Sequence, residues 1–412
     1  MKYGLIGERL GQSFSQEIHR RFGYEYELKE ISFDKLDEFM REGDFLGINV
    51  TMPYKSAVIP YLDRIDESAE KIGAVNTVIN RDGKLYGYNT DFYGMISLLD
   101  HAKINVREKK AIILGTGGTA KTAFAVLKSK GAGEILKVSR NPQGDDISYN
   151  ELYEMHRDAE IIINTTPVGM YPDILGYPID LDKFEHLSGV VDAVYNPINS
   201  MLVQDARARK IKAEGGLYML VSQAICASKI FLDKNSNTDN SLLNDTYKSV
   251  KSEKENIVLI GMPSSGKSTA GKIIANSLGR KFVDTDDLII QKTGMTISDF
   301  FKKFGENEFR KIESEIINEL ASKQSLVIAT GGGAVLNEKN LSALKYNGRL
   351  YFIDRPVEAL VPTESRPLSP DMKAIKKLYD ERYSIYCDSC DERIESNCSI
   401  EKVAEKILEN YR

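Results

Sequence analysis

The chain has 412 residues, more than one hydrophobic core usually supports, so two or three domains are expected. Its net charge of −5 and the lack of any sustained Lys and Arg cluster argue against a nucleic-acid-binding face. The start turns polar at Glu8 and Arg9, and nowhere do about 18 apolar residues run together. We therefore expect a cytoplasmic protein with neither a nucleic-acid nor a membrane partner.

The four cysteines are too few in so long a chain for a disulfide framework. Cys387 and Cys390 are spaced as CxxC and Cys398 follows, but no second CxxC or His pair supplies a fourth zinc ligand. We expect ordinary reduced thiols.

The first ninety residues alternate short apolar runs with helical stretches, which predicts an α/β domain. Polar clusters follow three of the apolar runs, where ligands of α/β sheets bind: 12–15, 49–55 and 88–91. Each cluster also has a purely structural interpretation. Ser15 and Asp91 suit helix N-caps, and Pro53 suits a turn.

A dinucleotide-binding fingerprint follows. The strand 110–114 runs into Gly115-Thr116-Gly117-Gly118-Thr119-Ala120 and a helix over 121–130, and a second strand over 134–138 completes a βαβ unit. An NAD enzyme places an acid at the end of that second strand, whereas this chain has Ser139 and Arg140. A cation there suits the 2′-phosphate of NADP, although a solvated surface arginine is the alternative.

Motifs along the first 250 residues resemble those of shikimate dehydrogenase. The family patterns SxS, NVTxPxK, NTD, GxGGxxxA, NxTxxGM, YxPxxT and GxxMLxxQA are matched in order at 13–15, 49–55, 89–91, 115 onward, 164–170, 195–200 and 216–224. The chain departs from the family at Gln12 and Gln16, where His and Pro are usual, and at Ser200, where Thr is usual.

This resemblance implies NADPH-dependent reduction of 3-dehydroshikimate to shikimate. Lys55 would donate the proton to the forming alkoxide, and Asp91 would orient Lys55 and the hydroxyl. The substrate residues it implies are Ser13, Ser15, Thr51, Lys55, Asn76, Asp91, Tyr195 and Gln223. The cofactor residues it implies are Gly115, Thr116, Gly117, Gly118, Thr119, Ala120, Ser139, Arg140 and Gly216.

The predicted domain limits follow from these motifs and from two helical patterns near residues 222–231 and 242–250. We expect a dehydrogenase over 1–250, with a substrate-binding part (1–95 and about 216–250) and an NADP-binding Rossmann part (96–215). The polar stretch 251–256 is predicted to be a flexible linker, and 257–412 a second enzyme.

The second enzyme begins with a phosphate loop, because GMPSSGKS (261–268) lies between an apolar strand and a helical pattern. Backbone N–H groups of such a turn surround phosphate oxygens, and the helix dipole adds positive potential. Lys267 would reach the β- and γ-phosphates, and Ser268 would hold Mg²⁺. The predicted ATP-binding residues here are Ser264, Ser265, Gly266, Lys267, Ser268 and Thr269.

From about Asn256 onward the motif order resembles shikimate kinase, at 281–287, 309–310, 326–333, 365–368 and 381–383. The resemblance implies ATP- and Mg²⁺-dependent phosphorylation of shikimate at its 3-hydroxyl. Its implied roles are Asp286 for the reacting hydroxyl, Asp284 for Mg²⁺ through water, Arg310 and Arg382 for the carboxylate, Gly331, Gly332 and Gly333 for the ring hydroxyls, and Arg366 as the lid arginine. The lid segment 357–366 is short and lacks the upstream arginine that the family usually places against adenine.

The predicted fold class is α/β throughout: an α/β substrate domain, a Rossmann NADP-binding domain, and a P-loop domain like the nucleoside-monophosphate kinases. Two other interpretations stay open. The first half could be a quinate dehydrogenase, or one half could be an inactive regulatory or scaffolding module. The sequence leaves the oligomeric state open.

Overall fold

The computed structural model describes residues 1–11, 13–234, 240–362 and 371–411. The chain divides into two compact units, Met1–Val250 and Lys251–Arg412. No helix within the described ranges combines the length and apolar content needed to cross a membrane.

The first unit opens with a mixed sheet. Its elements are β1 (Tyr3–Gly7), α1 (Ser15–Arg20), β2 (Glu27–Glu30), α2 (Leu36–Glu42), β3 (Gly47–Val50), β4 (Arg64–Ile65), α3 (Glu67–Ile72), β5 (Thr77–Arg81) and β6 (Lys84–Tyr88). The strand order is β2-β1-β3-β5-β6-β4, parallel except where β5 pairs with β3 and β6. The β5–β6 hairpin turns at Asp82 and Gly83, both with positive φ, as a tight two-residue turn requires.

A second, wholly parallel sheet follows in the same unit. The strands of this sheet and the helices around it are α4 (Asp91–His101), β7 (Lys110–Leu114), α5 (Gly118–Ser129), β8 (Glu134–Val138), α6 (Tyr149–Met155), β9 (Ile161–Asn164), β10 (Gly189–Asp192), α7 (Met201–Ala208), β11 (Lys212–Glu214), α8 (Leu217–Phe231) and α9 (Asn240–Lys254). The order β11-β10-β9-β7-β8 confirms the predicted Rossmann-type sheet. Its main core also takes in apolar residues of α1, α4, α8 and α9.

The stretch 251–256 does not have the flexible-linker conformation that its sequence predicts. Lys251–Lys254 continue α9, and Asn256 begins the next strand, so only Glu255 lies between the two elements. The helix persists because its last carbonyls have partners far along the sequence. Arg280 donates to the oxygens of Ser252 and Glu255, and the Ser325 hydroxyl donates to that of Glu253.

The second unit is a parallel five-stranded sheet flanked by helices. Its elements are β12 (Asn256–Ile260), α10 (Lys267–Leu278), β13 (Lys281–Asp284), α11 (Thr285–Thr293), α12 (Ile297–Ala321), β14 (Leu326–Ala329), α13 (Glu338–Asn347), β15 (Gly348–Asp354), α14 (Met372–Ser389), β16 (Glu392–Glu395) and α15 (Ile400–Tyr411). The order β13-β14-β12-β15-β16 makes β12 the central strand and confirms the predicted P-loop architecture. Gly305, at φ 81°, kinks α12.

Candidate active sites

A cavity of about 510 Å³ lies in the first unit, lined largely by loops that follow strands β1, β3, β9 and β10. All of the predicted substrate residues line it: Ser13, Ser15, Thr51, Lys55, Asn76, Asp91, Tyr195 and Gln223. Met219 and Leu220 of α8 add apolar wall. The cavity therefore offers convergent polar groups on an apolar background, as small-molecule sites do.

Lys55 and Asp91 form a close ion pair at the cavity wall. Nζ of Lys55 donates to Oδ2 of Asp91 over 2.5 Å, and the two side chains are only 13% and 8% exposed. Asp91 is the first residue of α4, where the helix dipole favours a negative charge. The pair therefore places a proton-bearing cation, oriented by a carboxylate, where a reacting carbonyl could lie.

Three hydroxyl groups gather at another part of the cavity. Ser15 is buried, and its N–H donates to the Ser13 hydroxyl at 3.2 Å. Burial raises the pKa of Tyr195, while a hydrogen bond with Ser13 opposes this rise. These neutral hydrogen-bonding groups are suited to a substrate carboxylate or hydroxyl.

Asn76 and Gln223 are buried and are partly engaged with the protein itself. The Asn76 amide donates to the Thr90 hydroxyl at 3.0 Å and accepts from the Thr90 N–H at 2.7 Å. The Gln223 amide donates to the Leu220 oxygen at 2.9 Å. These bonds fix both side chains in place beside the cavity.

Sequence reasoning missed Arg9, an exposed cation that also lines the cavity. The available signal was its position just after β1, where ligands of α/β sheets bind.

The predicted dinucleotide turn joins β7 to α5. Gly115 has φ +105°, and a Cβ on it would lie 2.9 Å from the Thr165 hydroxyl, so only glycine fits. Gly117, the N-cap of α5, has no side chain to cap the helix, so the first N–H groups of α5 can donate hydrogen bonds to an anion. Arg140 is exposed just after the neighbouring strand β8. These features fit a dinucleotide that carries a 2′-phosphate.

Of the other residues predicted for the cofactor, Thr119 and Gly216 line the substrate cavity itself. Gly216 packs against the backbone of Ala193, where a Cβ would come within 2.2 Å of the carbonyl oxygen. Thr116 is exposed, Gly118 and Ser139 are half-buried, and Ala120 is buried.

Asp192, fully buried at the end of β10, connects the loops above the cavity. It accepts hydrogen bonds from the Ser200 hydroxyl at 2.6 Å, the Asn164 amide at 2.9 Å and the Val194 N–H at 3.0 Å. Burial raises its pKa to about 6, against the opposing effect of these donors. Ser200 thus supplies a hydroxyl to this network although the related family usually has threonine there.

A cavity of about 360 Å³ lies in the second unit, next to the phosphate loop. All of the predicted residues that are described line it: Ser264–Thr269, Asp284, Asp286, Arg310, Gly331–Gly333 and Arg382. Arg366 lies outside the described residues.

The phosphate loop has the geometry that a polyphosphate needs. Gly261, Ser264 and Gly266 all have positive φ, which turns successive backbone N–H groups toward one concave side. The Ser265 hydroxyl is buried without a partner among the described residues. Ser268 donates to Oδ2 of Asp284 at 2.6 Å, so two hard oxygen ligands of the kind Mg²⁺ prefers stand together. The residues present therefore fit ATP and Mg²⁺.

In the same cavity, β14 ends in a glycine turn that two acidic side chains approach. A Cβ on Gly331 would lie 2.8 Å from Oε1 of Glu313 and 2.9 Å from Oδ1 of Asp286. A Cβ on Gly333 would collide with the Arg310 guanidinium. A Cβ at either position would force these flexible side chains to move, so the two glycines leave room for them at the cavity wall.

Glu313 was missed by sequence reasoning. It has no exposed side-chain surface, and its Oε2 pairs with Nη1 of Arg310 at 2.7 Å. Burial raises the pKa of Glu313, and the opposing effect of Arg310 does not cancel it. The available signal was the i, i+3 spacing of Arg310 and Glu313 on α12. Arg382, 4% exposed, lies close enough to affect the same carboxylate.

Comparisons with known proteins cover both units. Residues 5–78 match the family model of the shikimate dehydrogenase substrate binding domain, and residues 263–412 match that of shikimate kinase. The shikimate dehydrogenase (NADP(+)) of Clostridium beijerinckii is 37% identical over 269 residues, which are 61% of this chain and 98% of that protein.

Solved structures agree for the first unit. Shikimate dehydrogenase 1 from Peptoclostridium difficile is 35% identical with a TM-score of 0.56, over 61% of this chain and 98% of that one. Shikimate 5-dehydrogenase from Thermus thermophilus in complex with NADP(H) and shikimate is 27% identical with a TM-score of 0.54, over 60% and 99%. A chorismate mutase/shikimate 5-dehydrogenase fusion protein from Clostridium acetobutylicum is 36% identical with a TM-score of 0.56, over 60% and 96%.

Fold and sites together define a two-enzyme chain, an NADP-type oxidoreductase followed by a P-loop kinase. The chain belongs to the shikimate dehydrogenase family and carries a shikimate kinase domain in the same polypeptide. Both enzyme types belong to the shikimate pathway of aromatic amino acid biosynthesis.

Proposed function

We propose that this chain reduces 3-dehydroshikimate to shikimate with NADPH and then phosphorylates the 3-hydroxyl of shikimate with ATP and Mg²⁺. The observation that carries the proposal is the Lys55–Asp91 pair in a cavity that also holds the Ser13, Ser15 and Tyr195 hydroxyls. The kinase cavity provides independent support, because it combines the phosphate loop with arginines suited to a carboxylate.

In the reductase site, NADPH supplies the hydride when bound. Lys55 donates a proton to the carbonyl oxygen as negative charge develops there, and Asp91 holds the ammonium group in position. Ser13, Ser15 and Tyr195 orient the carboxylate so that the carbonyl faces Lys55.

In the kinase site, ATP would supply the phosphoryl group, and Ser268 and Asp284 would hold its Mg²⁺. Asp286 accepts a hydrogen bond from the 3-hydroxyl and assists its deprotonation. Arg310 and Arg382 hold the carboxylate, and Gly331–Gly333 allow close approach of the ring. The lid role of Arg366 stays a proposal from sequence.

Separate substrate panels test this function. The full chain is given 3-dehydroshikimate or 3-dehydroquinate with NADPH or NADH, and separately shikimate or quinate with ATP. We expect NADPH with 3-dehydroshikimate, and ATP with shikimate, to give the highest kcat/KM. Preference for the quinate series, or for NADH, would overturn the substrate or cofactor assignment, and an inactive half would indicate a scaffolding module.

A further inference from the structure

The dinucleotide turn contacts Lys55 directly. Nζ of Lys55 donates to the Thr119 hydroxyl at 3.3 Å, in addition to its bond with Asp91. The lysine stem crosses Gly118, where a Cβ would lie 3.1 Å from both Cβ and Cδ of Lys55. Lys55 is therefore held by side chains of α4 and α5, and its own carbonyl accepts from the Val75 N–H at 2.7 Å.

We propose that Thr119 is a positioning residue for the reduction, resting on the function proposed above for Lys55. Its hydroxyl accepts one proton of the ammonium group and fixes the direction of the others, one toward Asp91 and one toward the cavity. An ammonium group has three donors that rotate together, so two fixed acceptors determine where the third points. Thr119 follows the glycines of the dinucleotide turn, which ties the proton donor to the cofactor site.

Thr119→Val removes the hydroxyl and keeps the shape, and Thr119→Ser restores the hydroxyl without the methyl group. We expect Thr119→Val to lower reductase kcat about tenfold, because a misdirected donor loses orientation. The KM for 3-dehydroshikimate should stay within about twofold. Thr119→Ser should recover most of the rate.

An unchanged kcat in Thr119→Val would overturn the proposal. So would a Thr119→Ser variant as slow as Thr119→Val, because the methyl group would then be what matters. Failure of the underlying function gives a different result, since the unmodified chain itself would not oxidise NADPH with 3-dehydroshikimate.

An independent observation concerns Arg355, just after β15. Its Nε is buried and has no hydrogen-bond partner, and no ion pair joins its guanidinium to any residue in the described ranges. Its Nη1 lies 3.9 Å from where a Cβ on Gly266 of the phosphate loop would stand. The neighbouring Asp354 is instead paired with Arg393. A partly buried, unpaired cation is costly unless an anion joins it.

We infer that Arg355 binds the phosphate chain of the nucleotide, a role that rests on the kinase function proposed above. On the full chain, Arg355→Met is expected to raise the Kd of both ATP and inorganic tripolyphosphate about tenfold by calorimetry, and Arg355→Lys by less. Lys402→Met, which removes an exposed cation from α15, is the control and should change neither Kd.

Unchanged affinities in Arg355→Met would overturn this assignment. Weaker ATP binding with unchanged tripolyphosphate binding would overturn it as well, since the contact would then be to adenosine. If the unmodified chain bound no ATP, the kinase function itself would fail.

Discussion

Glu313 is a buried carboxylate that pairs with Arg310 in the kinase cavity. Its Oε1 has no hydrogen-bond partner among the described residues and lies beside the Gly331 turn, while its Oε2 holds Arg310. Removing one partner of a buried charge pair leaves the other uncompensated. Arg310 has a second partner, Glu306, but that side chain is 47% exposed.

We expect Glu313→Gln to raise the KM for shikimate by at least about tenfold, because Arg310 would lose its buried counter-charge. Glu306→Gln is the matched control and should change KM by less than about twofold, since exposed pairs contribute little. Steady-state kinase assays on both variants measure the KM for shikimate and test this difference. Equal effects would mean that burial is not what gives Glu313 its role.

His19 of α1 makes the first unit sensitive to acid. Its ring stacks on Tyr26 with centroids 4.0 Å apart, and Nδ1 contacts the Tyr24 hydroxyl. Burial lowers the pKa of His19 from 6.5 to about 3. Between those values the unfolded chain binds a proton that the folded chain does not, so stability falls as pH drops through this window.

Replacing His19 with a residue that does not titrate should flatten this dependence. The free energy of unfolding falls as the pH drops from about 6 to about 4. We expect this fall to be less steep in His19→Gln than in the unmodified chain, with slopes that differ by about 1.4 kcal/mol per pH unit. Urea unfolding at several pH values, monitored through the loss of reductase activity, gives the slope of unfolding free energy against pH. Identical slopes would show that His19 titrates normally in the folded state.

At the level of elements, single strands and motif turns could be predicted because each depends on residues near in sequence. The strand before GMPSSGKS and the turn at Gly115 are of this kind. The conformation of 251–256 could not be predicted in this way. Its polar composition indicates a linker, but side chains of Arg280, Ser325 and Tyr411 donate hydrogen bonds to its carbonyls. Glu313 and the Thr119 contact with Lys55 likewise depend on packing between distant segments.

Arg280→Ala tests this account of the α9 end. The change removes donors to the oxygens of Ser252 and Glu255 and should destabilise the second unit by about 1–3 kcal/mol. Lys281→Ala, at the exposed neighbouring position, is the control and should cost less than about 0.5 kcal/mol. Thermal inactivation of the kinase gives the comparison. Similar losses in both variants would contradict the role of these bonds.

At the level of the whole molecule, the described residues that line each cavity all belong to one unit. Lys55→Ala should therefore abolish the reductase and spare the kinase, and Asp286→Asn should do the reverse. Reductase loss should reach at least about a hundredfold, the usual contribution of a positioned proton donor. Loss of both activities in either variant would contradict independent sites.

The most direct test of the central claim is one reaction that contains the full chain, 3-dehydroshikimate, NADPH, ATP and Mg²⁺. Loss of NADPH absorbance is followed together with mass-spectrometric detection of shikimate 3-phosphate. We predict that NADPH disappears and that shikimate 3-phosphate accumulates in matching amount. NADPH loss with shikimate as the end product would contradict the kinase assignment, and neither signal would contradict the two-enzyme account as a whole.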